Sequence, residues 1–141
     1  MDLFDHQVIP LALTPQRDSA ITFWPNWLSG NNADDLLQKS IECIDWRADS
    51  IRIVGKQIPI PRLQQWFGES GTSYTYSNIC LQAVGFPDWI DLIRHNVESQ
   101  TGAAFNRALV NYYRDGSDSV DWHADDEPEL GSEPIIASLS L

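Results

Sequence analysis

His123 and Asp125 stand two residues apart in the run Asp121-Trp122-His123-Ala124-Asp125-Asp126-Glu127. On an extended segment, side chains two apart leave the same side. An imidazole nitrogen and a carboxylate oxygen then converge on one point. Two of the three ligands of a two-His-one-carboxylate iron site are placed in this way, with coordination positions left open for oxygen and a co-substrate. The tripeptide alone reads more simply as a solvated loop with a chance His-x-Asp, and its neighbours overturn that reading.

Asn111 and Tyr113 repeat the two-residue spacing at the end of Phe105-Asn-Arg-Ala-Leu-Val-Asn-Tyr-Tyr113. As a strand over residues 105–113, this run puts Phe105, Arg107, Leu109, Asn111 and Tyr113 on one face. An amide and a phenol side by side can donate to a carboxylate or a keto acid; otherwise they are the polar face of a sheet. Asp115-Gly116 is a turn signal that lets the Asn/Tyr strand and the His-x-Asp segment face each other.

These residues are joined by a longer pattern: Asn111-x-Tyr113, Asp115-Gly116, Asp118, Trp122-His123-x-Asp125-Asp126-Glu127, and the terminal Ile136-Ala-Ser-Leu-Ser-Leu141. Upstream stand Ile53-Val-Gly-Lys56, Pro61-Arg62, Trp66-Phe-Gly-Glu69 and Tyr74-Thr-Tyr-Ser77. In order and spacing the set resembles the AlkB-type iron(II)- and 2-oxoglutarate-dependent dioxygenases, over roughly residues 50–141. The resemblance implies a double-stranded β-helix, or jelly roll, of the α+β class, with supporting N-terminal helices and an incomplete C-terminus. It implies Fe(II) held by His123, Asp125 and a later His, with 2-oxoglutarate held by Asn111 and Tyr113. The implied reaction hydroxylates an N-methyl group on a nucleobase, and the product breaks down to formaldehyde and the restored base, with succinate and carbon dioxide released.

The chain departs from that pattern after His123. No second His follows; His6 and His95 lie upstream, and no Lys or Arg follows Arg114. The family places its third iron ligand and an arginine for the distal carboxylate of 2-oxoglutarate downstream. The expectation is therefore a C-terminally truncated member, with residues 1–141 inactive on their own. The alternatives are a non-catalytic nucleic-acid-binding relative and a dioxygenase acting on RNA or protein.

The elements that must carry these residues can be read coarsely. Residues 1–20 carry no usable motif and read as an extension before a domain over 21–141. Ile21-Thr-Phe-Trp24 reads as a short strand. Asn31-Asn32 caps a predicted helix over 33–44, with Asp34 and Asp35 in its first turn and Leu36, Leu37, Ser40, Ile41 and Ile44 as its inward stripe. A strand over 51–54 ends at Gly55. Pro87 opens a second helix over 88–99, with Trp89, Ile93 and Val97 spaced four apart, and Thr101-Gly102 closes it. Beyond Phe105 the pattern is strand and turn only, including a strand over 134–141. Helices first and strands later suit helices backing a jelly roll; its core starts at about residue 104.

Residues of about 50–80 form a nucleotide-recognition lid by the same resemblance. Tyr74 and Tyr76 alternate with Thr75, so both rings face one way and can stack on a base taken out of the helix, followed by Ser77; otherwise they are core or sheet-surface residues. Val54-Gly55-Lys56 forms a hairpin tip, which in relatives acting on duplex DNA wedges into the base stack. Its alternative is a buried strand end. Arg62 pairs with a phosphate or with an acid of the site, or is a surface arginine. Asp126 and Glu127 line the base pocket beside a cationic methylated ring, or belong to a solvated acidic loop. Trp66, Phe67 and Trp122 are read as packing residues.

Composition fits a truncated globular enzyme. The 141 residues are 43% hydrophobic with six Trp, enough for a core. Cys43 and Cys80 suggest no disulfide framework, which points to a reducing compartment. The start lacks a signal peptide, and no apolar run approaches the ~20 residues of a membrane span. The expected location is cytoplasmic, at the nucleoid, or nuclear, and the expected state is a monomer. A net charge of −11 opposes simple polyanion binding. Yet eight of the twenty acids follow Arg114, where a cation would bind, whereas residues 52–62 hold Arg52, Lys56 and Arg62 and no acid. The expected partner is alkylated DNA, or RNA.

Overall fold

The computed structural model describes residues 7–14, 17–69, 73–76, 79–123, 125 and 130–141. The chain divides into two units, one up to Glu42 and one from Cys43 to Ser140. Among the described residues the elements are antiparallel strand pairs and two helices, and the strands form four two-stranded sheets without closing a barrel.

The first unit holds a hairpin of β1 (Gln7–Thr14) and β2 (Arg17–Phe23), paired from Gln7↔Phe23 to Thr14↔Arg17, followed by α1 (Gly30–Cys43). The segment 1–20 thus holds a strand and the start of another, and the strand expected at 21–24 is only the end of β2. Pro10 inside β1 is what hides it, since proline argues against a strand. The helix also starts earlier than the Asn31-Asn32 cap implies. Ser29 is the cap: its carbonyl accepts from Ala33 N at 2.9 Å and its Oγ from Asn32 N at 3.4 Å. Serine caps as well as asparagine, and the shift puts Asp34 and Asp35 beyond the first turn. No residue of α1 is buried; Leu36, Ser40 and Ile41 are half-buried and Leu37 is exposed.

The second unit is organised around β5 (Leu63–Gly68). Along one edge it pairs with β8 (Arg107–Tyr112), in register from Leu63↔Tyr112 to Gly68↔Arg107. Its other edge is met by Arg47, which exchanges two backbone bonds with Gln64 at 3.0 Å, and by Val84, bonded to Trp66 and Gly68. With backbone partners on both sides, β5 is buried from Gln64 to Gly68. Gln64 and Gln65 are tolerated there because each amide is satisfied. Gln64 Nε2 donates to Asp49 Oδ2 at 2.9 Å, and Gln65 Nε2 to the Asp45 carbonyl at 2.6 Å.

The two faces of the β5–β8 pair differ. Phe67, Ala108 and Val110 face a core completed by Ile44, Ile90, Phe86, Trp89 and Trp46. The Trp46 ring lies 5.3 Å from that of Tyr112. The opposite face, by strand alternation, carries Gln64 and Trp66 on β5 and Arg107, Leu109 and Asn111 on β8. Trp66 and Phe67 are buried, as their packing role requires.

Helix α2 (Asp88–Thr101) follows Pro87 and ends on Gly102, whose φ of 70° is left-handed and whose N–H closes on the Glu98 carbonyl. Ile90 is its buried residue, and Trp89, Ile93 and Val97 are half-buried, with Trp89 packed against the core. Arg94 ties α2 to the start of β8. It donates to Asp91 (2.7 Å), Glu98 (3.3 Å) and the Phe105 carbonyl (2.8 Å), and lies 5.1 Å from the centre of the Phe86 ring. Glu98 also accepts from Phe105 N at 2.8 Å. Phe105 therefore belongs to this junction and not to the strand.

Two hairpins complete the unit: β3 (Ser50–Ile53) with β4 (Lys56–Pro59), and β6 (Ser73–Tyr76) with β7 (Ile79–Gln82). The strand expected over 134–141 is not formed. That segment pairs with no strand among the described residues, and Ile135, Ile136, Leu139 and Leu141 are exposed. An extended segment gains strand hydrogen bonds only where a neighbour offers an edge. No described helix is long and apolar enough to cross a membrane.

Candidate metal and co-substrate site

Strand β8 ends at Tyr112, and the chain turns through Asp115-Gly116 towards His123. The turn is closed by its own side chains. Ser117 N donates to Asp115 Oδ1 at 2.7 Å and Asp118 N to the Asp115 carbonyl at 3.1 Å. Arg114 grips Asp118 with Nε on Oδ2 at 2.7 Å and Nη2 on Oδ1 at 2.8 Å. Ser119 N then donates to the Pro61 carbonyl at 2.9 Å, which docks the turn beside Arg62.

His123 and Asp125 lie in an irregular segment and not on a strand, because nothing among the described residues pairs with it. Their side chains nonetheless meet: His123 Nε2 is 3.5 Å from Asp125 Oδ1. The other ring nitrogen, Nδ1, lies 2.8 Å from the Asp121 carbonyl. A carbonyl only accepts, so Nδ1 carries the proton. In the neutral ring, Nε2 is then the lone-pair nitrogen that a metal requires, fixed by a backbone acceptor of the kind that orients metal-binding histidines. Two donors on one first-row metal, at about 2.0–2.2 Å each, sit about 3–4 Å apart, so the pair fits. Both side chains are nearly half-exposed, open to an incoming ion. Among the described residues no group of three His, Cys, Asp or Glu completes a metal cluster.

Asn111 is half-buried on β8, opposite Gln64, and its Oδ1 accepts from Arg62 Nε at 3.0 Å. Arg62 is 7% exposed. Tyr113 lies one residue past β8 and is exposed. The open hollow beside His123 is lined by Val120, Asp121, Trp122 and His123, and Asn111 and Tyr113 do not line it. Trp122 is fully exposed and packs against no core, contrary to its expected role.

Val54 and Gly55 form the two-residue turn closed by Ile53↔Lys56, with φ of 48° and 78°. Val54 is 97% exposed, which removes the buried-strand alternative, and Lys56 is exposed as well. Tyr74 and Tyr76 lie in β6, paired with Leu81 and Ile79. Ser77, Asp126 and Glu127 fall outside the described residues. His95 sits on α2 with Nδ1 2.8 Å from the Asp91 carbonyl.

The Asp121 carbonyl, the Arg114–Asp118 clamp and the Arg62–Asn111 contact are not foreseen from the sequence. A backbone acceptor leaves no residue-type signal. The Arg-x-x-x-Asp spacing around Asp-Gly was the available clue to the clamp.

Residues 20–141 match the model of the 2OG-Fe(II) oxygenase superfamily. The chain belongs to that superfamily. Within it the similarity is to AlkB-type members. It is 38% identical over 137 residues to the "Alpha-ketoglutarate-dependent dioxygenase alkB homolog 3" of Rattus norvegicus, covering 95% of this chain and 45% of the relative. The Homo sapiens protein of that name is also 38% identical, over 95% of this chain and 46% of its own length. The "DNA oxidative demethylase ALKBH2" of Homo sapiens is 36% identical over 105 residues, covering 74% of this chain and 40% of the relative. The chain spans about half the length, or less, of these relatives.

Proposed function

We propose that the protein carrying this chain is an oxidative demethylase of N-alkylated nucleobases in DNA or RNA, using Fe(II), O2 and 2-oxoglutarate. The observation that carries the reading is the His123–Asp125 pair, with Nδ1 committed to a backbone carbonyl and Nε2 turned to the carboxylate. The names of the relatives, one of them a DNA oxidative demethylase, support nucleic acid as the substrate class.

On this reading His123 Nε2 and Asp125 hold the iron, and Asn111 and Tyr113 donate to 2-oxoglutarate. When bound, iron and 2-oxoglutarate supply the oxidising chemistry. The chain's own residues orient the reactants and exclude water. Tyr74, Tyr76, Ser77, Asp126 and Glu127 contribute to holding the target nucleotide, and Val54-Gly55-Lys56 to opening the stack. A third iron ligand and an arginine for the distal carboxylate of 2-oxoglutarate are proposed to lie outside residues 1–141, which cover less than half of the relatives' length. Residues 1–141 alone are accordingly proposed to release no succinate at a useful rate.

The test is formaldehyde and succinate release by the protein's full chain from N-methylated DNA, N-methylated RNA and a methylated peptide. Release from DNA or RNA that depends on added Fe(II) supports the reading. Release from the peptide alone, or none from any of the three, overturns it.

A further inference from the structure

A guanidinium carries five N–H donors and no acceptor. With Arg62 Nε at 3.0 Å, Asn111 must therefore turn its carbonyl oxygen towards Arg62 and its –NH2 away. Arg62 is itself held. Its side chain is buried, its N–H bonds to the Ile60 carbonyl at 2.8 Å, and its neighbour Pro61 receives Ser119 N. Gln64, the strand partner of Asn111, is anchored to Asp49 in a comparable way. An unrestrained carboxamide can present either its oxygen or its nitrogen to a ligand, and only the nitrogen attracts a carboxylate.

We infer that Arg62 is a positioning residue for 2-oxoglutarate: its Nε locks the Asn111 amide so that the –NH2 is a fixed donor to the co-substrate. The inference rests on the reading of Asn111 as a co-substrate residue. It gives Arg62 a task other than direct contact with a phosphate or an acid.

Side-chain topology supplies the test. Gln places Nε2 at the same bond count from the backbone as Arg Nε, so Arg62→Gln keeps the donor and loses the charge. Met fills the same length with no donor. Lys keeps the charge but has a methylene where Nε stood. KM for 2-oxoglutarate and KM for an N-methylated oligonucleotide are measured by succinate release with the protein's full chain, and 2-oxoglutarate affinity without turnover by anaerobic calorimetry, which should follow the 2-oxoglutarate KM. Arg62→Met and Arg62→Lys should raise the 2-oxoglutarate KM on the order of 10-fold, as loss of an outer partner typically does. The oligonucleotide KM should hold, and Arg62→Gln should restore 2-oxoglutarate binding. Arg62→Met combined with Asn111→Ala should be no worse than Asn111→Ala alone. Should Arg62→Met fail to fold, the Gln and Lys variants carry the same contrast.

Equal damage from Gln and Lys, or multiplied effects in the double variant, overturns the inference and leaves the co-substrate role of Asn111 standing. A rise in oligonucleotide KM alone makes Arg62 a nucleic-acid contact. An unchanged 2-oxoglutarate KM in Asn111→Ala instead removes the reading of Asn111, and the inference falls with it.

Discussion

Arg114 holds both carboxylate oxygens of Asp118, with its Nε and Nη2 at 2.7 and 2.8 Å and its own backbone N–H at 2.9 Å. The Asp118 side chain is 6% exposed. The Arg114 side-chain bond first, and its backbone bond second, lower the Asp118 pKa to about 2. An unfolded Asp titrates near about 3.9. The clamp's contribution is thus fully present above about pH 4 and is lost as pH falls through about 2. Between these limits the melting temperature of the native protein should fall more steeply with acid than that of Asp118→Asn. Parallel slopes would show that the clamp does not stabilise the fold.

Phe67 is 3% exposed and joins Ile44 and Ile90 in the core behind β5 and β8. Phe67→Ala should cost about 3–5 kcal/mol in urea unfolding. A cost under about 1 kcal/mol, the range of a surface change, would mean that this cluster does not hold the sheet.

Val54 has φ of 48° at the first position of its turn, where a β-branched residue is strained. Asn-Gly is the favoured pair for such a turn. Val54→Asn should stabilise the hairpin by up to about 1–2 kcal/mol, the cost of the left-handed backbone. If the tip opens duplexes, the variant should also lose activity on methylated duplex DNA and keep it on single strands. A variant that is no more stable and acts equally on both would separate Val54 from strain and from duplex opening.

Tyr76 closes β6. If it stacks on the target base, Tyr76→Ala should weaken activity on methylated oligonucleotide by ~1–3 kcal/mol of binding. Fe(II) and 2-oxoglutarate affinities should hold. Equal losses in all three would make the tyrosine structural.

The legible part of the fold followed local chemistry. Gly102 after a helical stripe, Pro87 before one, and Val54-Gly55 between apolar runs each place a terminus or turn through its own backbone preference. Trp66 and Phe67 were legible as core from their bulk. The hairpin at β1–β2 was not, because Pro10 breaks the strand pattern while the pairing that tolerates it is non-local. The spacing of His123 and Asp125 pointed to convergence, but strand alternation was the wrong cause. The segment is irregular, and the Asp121 carbonyl fixes the ring. Arg62 and Asn111 are 49 positions apart, and only the β5–β8 register brings them together.

The most direct test of the central claim is the Fe(II) dependence of succinate release, measured on the protein's full chain with His123→Ala and Asp125→Ala. A first-row metal site of one carboxylate and imidazoles loses affinity steeply when either donor type is removed. Both variants should show no iron-dependent succinate at concentrations that saturate the native protein, while keeping its melting temperature. Turnover by either variant at the native rate and the native iron demand would show that His123 and Asp125 do not hold the metal.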